Sequence, residues 1–463
     1  MLFYDGIFLF FLACTVGVCI AARTAAWRVP VLLVASYVFY AAWDWRFLFL
    51  IFGATAVNYL AARGMPGAPA GRRRALLVLS LAASLGTLAV FKYLDFGIGS
   101  LNALLGTDMP LARLTLPVGI SFFTFQAMSY TIDVYRGRLG AHGSFAEFAL
   151  FVSFFPQLVA GPIIRAADFL PQIPRALAHI PNRLVQAVPL FVLGLFKKVV
   201  LADQLAGIVE PAYGAPVFYG AADLALATVA FTGQIYCDFS GYTDMALALC
   251  ILFGFEFPLN FRSPYLARGP QDFWRRWHIS LSSWLRDYLF ISLGGSRRGR
   301  ARTYLALALT MLLGGLWHGA AWTFVLWGAY HGALLISERF LKEILPATLL
   351  RLLAPLGTAF FLLATVLGWT IFRADSLPSL GVMLTRIARA APSGGFALPS
   401  ESYPIVAAAA VFLFFEHVLG ERNRASDWSE RHPYTIFAVT GVLLLAAVVL
   451  RPLHSEPFIY FQF

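Results

Sequence analysis

Two histidines stand where the chain is otherwise too apolar to need an ionisable side chain. His318 lies in Gly314-Gly315-Leu316-Trp317-His318-Gly319, downstream of Arg297, Arg298, Arg300 and Arg302. If 303–318 is helical, His318 lies about 24 Å along the axis from Arg302 at 1.5 Å per residue. That is most of a hydrocarbon core of about 30 Å. An arginine cluster marks a cytoplasmic end, so His318 is expected toward the outer leaflet. Imidazole titrates near neutrality and suits general base work; a packing role with both ring nitrogens bonded to backbone is the other reading. The flanking glycines are expected to permit a helix break and close approach by a ligand.

The second histidine, His278, belongs to FWRRWHISLSSWLRDY at 273–288, whose pattern predicts one amphipathic helix. Arg275, Ser282 and Arg286 share one face; His278 shares another with Trp274, Leu281 and Leu285. Arginine to phosphate and tryptophan at glycerol depth would make this an interfacial helix, but a histidine on its apolar face needs a partner. His278 and Asp287 fall on opposite sides of a continuous helix, so no His–Asp pair is expected within it. A third polar stretch, 233–244, carries Asp238, Ser240, Tyr242 and Asp244. Its acids either pair with a lysine or arginine of a neighbouring helix or line a proton or substrate path. The remaining histidines (His142, His179, His331, His417, His432 and His454) read as core or loop residues. No HxxxH or HExxH spacing occurs, and no metal site is expected.

The elements that must position these groups are membrane helices. Of 463 residues, 59% are hydrophobic and 13% charged, with a mean hydropathy of +0.73, which excludes an ordinary soluble domain. The net charge of +11 fits cytoplasmic loops facing anionic lipid, so nucleic acid is not needed as a partner. Cys14, Cys19, Cys237 and Cys250 all lie in apolar segments, with no CxxC pair, which argues against a disulfide scaffold. The first 22 residues lack the basic start and cleavage site of a secretory signal and read as a retained span.

Taken in order, crossings are expected at 2–22, 29–43, 47–62, 75–94, 116–134, 184–201, 224–253, 303–317, 322–336, 352–372, 404–419 and 433–450. Arg23 and Arg28, the loop with Arg63 and Arg72 to Arg74, Arg136 and Arg138, Arg339 and Lys342, and Arg422, Arg424 and Arg431 mark the cytoplasmic side. Both termini then lie outside. Residues 145–164, broken by Pro156, Gly161 and Pro162, read as re-entrant or interfacial helices. Lys197 and Lys198 must snorkel or pair with Asp203. Residues 375–403 form a polar outer segment with a short surface helix at 377–390. The fold class is an all-α polytopic membrane protein of about twelve crossings, one membrane-embedded domain over 1–463, without the repeat of an inverted-repeat transporter.

QIYCDFSGYTDMA at 234–246, NFRSPYLARGPQDFWRRWHISLSSWLRDYLFISLGGSRRG at 260–299 and GGLWHGAAWTFVLWGAYHG at 314–332 closely resemble the membrane-bound O-acyltransferase family. LPVGISFFTFQAMSYTIDVYRG at 116–137, LVAGPIIR at 158–165 and FIYFQF at 458–463 resemble its bacterial branch that O-acetylates alginate and other polysaccharides. The resemblance implies a ring of transmembrane helices around a thin centre with a through-channel. It implies that His318 matches the family's near-invariant histidine and His278 a second important one. It implies an acetyl thioester donor from the cytosol, either acetyl-CoA or an acyl carrier, with no bound cofactor. The acyl group would pass outward across the bacterial inner membrane, to a periplasmic or surface polysaccharide O-acetyltransferase as partner. His318 and His278 are the expected catalytic residues; Trp317, Asp238, Ser240, Tyr242, Arg275, Asp287, Arg297 and Arg298 are expected to bind substrate. D-alanyl transfer to teichoic acid, acetyl transfer to peptidoglycan or cellulose, a non-enzymatic donor or polymer transporter, and a structural anchor are the competing readings.

Overall fold

The computed structural model describes residues 1–22, 24–178, 183–421, 433–452 and 457–459. Arg23, His179, Arg422, Arg424, Arg431, His432, His454 and residues 460–463 of the terminal motif lie outside these. Every regular element among the described residues is a helix. Six helical segments are long and apolar enough to cross a membrane, and Gly6–Ala21, Leu377–Ala388 and Tyr434–Val449 are shorter apolar helices. A helix lies at each of the twelve positions where hydropathy predicts a crossing.

The chain divides into two compact units, residues 1–191 with 242–258, and residues 192–241 with 259–463. In the first unit, Asp44 separates Ala25–Asp44 from Leu48–Arg63: its carboxylate accepts the Arg46 N–H and pairs with the Arg46 guanidinium. Ile120–Tyr135 is buried along nearly its whole length. Its Thr131 hydroxyl donates to Asn58 Oδ1 at 2.8 Å, and Asn58 Nδ2 donates to Ser84 Oγ at 3.0 Å, so one amide ties three helices. The broken stretch from 145 to 164 forms two short helices, Phe145–Ser153 and Phe155–Leu158, within a bed of phenylalanines. Arg28 departs from expectation. It is 7% exposed, and its guanidinium donates to the carbonyls of Cys19, Leu177 and Ala178, which satisfies a buried cation without phosphate.

The second unit is organised on a helical pair, Arg300–His318 and Trp322–Ile344. The glycines of the first helix do not break it. A Cβ on Gly315 would stand 2.3 Å from the Phe324 carbonyl oxygen, and one on Gly328 would stand 2.4 Å from that of Met311. The two backbones therefore touch, as small residues allow between membrane helices. The partner helix fills the room that Gly315 vacates, whereas Gly314 lines a cavity beside Leu285. Gly319, extended at φ −158°, ends the first helix.

Charges at depth are paired in this unit. Lys198 Nζ lies 2.8 Å from Asp203 and 2.8 Å from Asp238, and Lys197 pairs with Glu416. A widened turn of helix, Lys197–Ala202, carries both lysines. Gly241 lets the Ala221–Leu252 helix approach it, since a Cβ there would meet the Gly194 carbonyl at 2.6 Å. Outside the spans, Leu377–Ala388 is capped by Ser376 and tied down by Arg386, whose guanidinium donates to the Tyr219 and Pro392 carbonyls.

Two outcomes follow for stability. Gly328→Val is expected to force the helical pair apart at a cost of about 1–3 kcal/mol or more, read as a lower unfolding midpoint of detergent-solubilised protein. Gly86→Val, where a Cβ meets nothing within 4 Å, is expected to stay near the wild-type midpoint; equal midpoints would contradict the packing account. Lys198→Met strands two buried carboxylates and is expected to cost about 3–5 kcal/mol. Neutralising all three groups, Lys198→Met with Asp203→Asn and Asp238→Asn, should recover most of the folded yield on size exclusion.

Candidate active site

His278 does not ride on a continuous helix. The expected amphipathic helix is broken into Pro270–Trp274, Ile279–Trp284 and a widened turn, Leu285–Phe290. His278 sits at the break with φ 42° and ψ 54°, in the left-handed region that a non-glycine residue rarely enters. The break turns its side chain inward. The ring is wholly buried, edge-on to Phe239 with centres 4.7 Å apart. The helices carrying it lie outside the six membrane-length segments. Burial pushes its imidazole from the ordinary value down to about 3, so the ring is neutral at physiological pH.

His318 arrives from the other direction, as the last residue of Arg300–His318. It is 4% exposed and enclosed by the rings of Trp317, Trp327 and Phe372, with centres 5.0, 5.1 and 5.5 Å away. The two imidazole centres stand 6.3 Å apart, and Trp317 flanks both. His331 is buried among Phe273, Trp274 and Trp327, as a core residue.

A cavity of about 680 Å³ reaches His318. Leu285, Leu307, Thr310, Met311 and Gly314 line it between Trp327 and its charged end. Trp327 and Lys342 both line it from one helix, so it extends about 22 Å along that axis at 1.5 Å per residue. Glu338, Arg339, Lys342 and Glu343 line it at the far end of that helix, and Arg275 and Arg286 line it as well. Arg286 pairs with Asp287, Arg339 with Glu343 and Lys342 with Glu338. Of these four cations, Arg275 alone has no carboxylate partner among the described residues.

The structure thus brings together His318, His278 and Trp317, and places Arg275 and, through its ion pair with Arg286, Asp287 along the cavity. Arg297 and Arg298, which precede the Arg300–His318 helix, are exposed and line no part of the cavity; Arg339 and Lys342, from the helix paired with it, do line it. Asp238 goes elsewhere. It is held by Lys198 and by the N–H of Ile459, which donates to Oδ2 at 2.7 Å, so the pairing alternative describes it. Ser240 is buried on the same helix away from the cavity lining, and Tyr242 stacks on Phe3 within the first unit. Asn260, Phe239 and Phe372 were not legible as site residues, because their contacts lie nineteen or more residues away in the chain.

The membrane-bound O-acyltransferase family model matches residues 136–373, more than half of the chain. The chain is 43% identical over 387 residues to the probable alginate O-acetylase AlgI of Azotobacter vinelandii, covering 81% of this chain and 76% of that protein. It is 37% identical over 378 residues to the peptidoglycan O-acetyltransferase of Helicobacter pylori, covering 75% and 71%. A teichoic acid D-alanyltransferase of Streptococcus thermophilus is 32% identical over 244 residues, covering 49% and 58%. With an all-helical fold and six segments able to cross a membrane, this multi-pass chain is an acyltransferase and belongs to the membrane-bound O-acyltransferase family.

Proposed function

We propose that this enzyme takes an acetyl group from a cytosolic thioester and passes it across the bacterial inner membrane for O-acetylation of an exported polysaccharide such as alginate. The observation that carries the reading is the cavity: Arg275, Arg286, Arg339 and Lys342 line it, and it reaches a buried histidine. Basic residues in its lining favour a cytoplasmic mouth, with both termini outside, and attract an anionic donor. The distance from Lys342 to His318 suits a donor that carries its thioester on a long flexible arm, as acetyl-CoA and an acyl carrier protein both do. Arg275, which among the described residues that line the cavity is the cation with no carboxylate partner, is the anchor for the donor's phosphate.

His318 acts as general base. It takes the proton of the acceptor hydroxyl while that oxygen adds to the thioester carbonyl. The carbon–sulfur bond then breaks, and the leaving thiolate recovers the proton from the imidazolium. The products are an acetyl ester and a free thiol. His278, neutral and close by, donates an N–H to the developing oxyanion, and Trp317 fixes the angle between the two imidazoles. The aromatic enclosure of His318 excludes bulk water and so limits hydrolysis. A periplasmic or surface O-acetyltransferase is the partner that completes transfer to the polymer. The relative that acts on peptidoglycan favours that polymer as the second reading; mass spectrometry of purified polymers separates the two.

His318→Ala in nanodiscs is expected to cut thiol release from acetyl-CoA or an acetylated carrier by about 10²–10⁴-fold, with unchanged membrane insertion. Wild-type thiol release and polymer acetylation in this variant would sink the assignment. Arg275→Ala is expected to raise the donor's KM about tenfold with kcat little changed, and to flatten the dependence of KM on salt. A KM that is equal to wild type at low ionic strength removes Arg275 from donor binding.

A further inference from the structure

A helix that starts at position 279 normally draws its cap from the side chain of residue 278. His278 makes no such bond. The cap comes instead from Asn260, eighteen residues earlier and wholly buried. Its Oδ1 accepts the Ser280 N–H at 3.3 Å and the Ser280 hydroxyl at 2.6 Å. Its backbone carbonyl accepts the Ile279 N–H at 2.9 Å, and two residues on, the Arg262 N–H donates to the Arg276 carbonyl at 2.9 Å. The backbone is therefore gripped on both sides of residue 278, which is what a sparsely populated φ requires if it is to persist. The orientation of the amide is fixed by these two acceptor bonds, although it leaves Nδ2 buried and unpartnered among the described residues. Leaving such a donor unmade is costly, so the demand on Oδ1 outweighs it.

We propose that Asn260 is the positioning residue for His278: by supplying the cap from a distant segment, it holds the left-handed turn and releases the imidazole to face His318. Asn260 lines no part of the donor cavity, so its action runs through His278 and not through donor binding. The inference rests on the acyl-transfer reading above, and its test has one arm that does not.

In nanodiscs with acetyl-CoA, Asn260→Ala is expected to lower kcat about 10- to 100-fold, as misplacing a reacting group does, with an unchanged donor KM. Combined with His278→Ala, it is expected to add nothing to the loss from His278→Ala alone. The independent arm is carbethoxylation by diethyl pyrocarbonate, read by mass spectrometry: His278 is protected in wild type and is expected to become reactive in Asn260→Ala. Should that variant not accumulate, Ser280→Ala, which removes only the shorter of the two bonds, takes its place in both arms. Wild-type kcat, losses that multiply in the double variant, or unchanged protection of His278 would each overturn the proposal. Absence of thiol release from the wild-type protein with both donors, while His278 protection still depends on Asn260, would reject the acyl-transfer reading and leave the positioning role standing.

Discussion

Contact between two bare helix backbones sets the rest of the second unit. Where Gly315 and Gly328 face each other's neighbours, no Cβ fits, and the Arg300–His318 and Trp322–Ile344 helices are held at the shortest approach that their peptides permit. The register of that contact decides what stands beside His318. Trp327 falls against the imidazole, and Lys342 and Glu343 fall a cavity's length away. Between membrane helices there is no hydrophobic drive for such a pair, so van der Waals contact along the small residues must supply it.

The neighbourhood of the second histidine is built by the opposite device. His278 is set by a break, and the backbone on either side of it is gripped by hydrogen bonds that Asn260 accepts and Arg262 donates. One imidazole thus ends a rigid helix and the other occupies a strained turn. Aromatic rings fill the space around both, with Phe239 against His278 and Phe372 against His318. Two buried cations away from both histidines are met locally, Arg28 by three carbonyls and Lys198 by two carboxylates.

Much of this was legible in the sequence. Apolar runs located the helices, because hydrocarbon thickness imposes their length, and His318 stood out as an ionisable group at depth. What periodicity could not foresee was tertiary. The pattern at 273–288 is amphipathic in both a straight helix and a broken one, and the break comes from Asn260, which no local window contains. Gly314 and Gly315 announced close approach but not its partner, since the complementary glycine lies thirteen residues on at Gly328. Arg297 and Arg298 were conspicuous as a cluster, whereas the cations that line the cavity are dispersed over Arg275, Arg286, Arg339 and Lys342. Asp238 was legible as an acid in need of an explanation, and Lys198 supplies one.

The lysine triad bears on how the chain enters the bilayer. Lys198 finds one carboxylate five residues later on its own helix and the other forty residues later, on the next long one. A nascent segment released into lipid before Asp238 had been synthesised would carry an incompletely compensated ion. Residues 184–214 and 221–252 are therefore cheapest to integrate as a hairpin, the first waiting at the insertion machinery until the second has emerged.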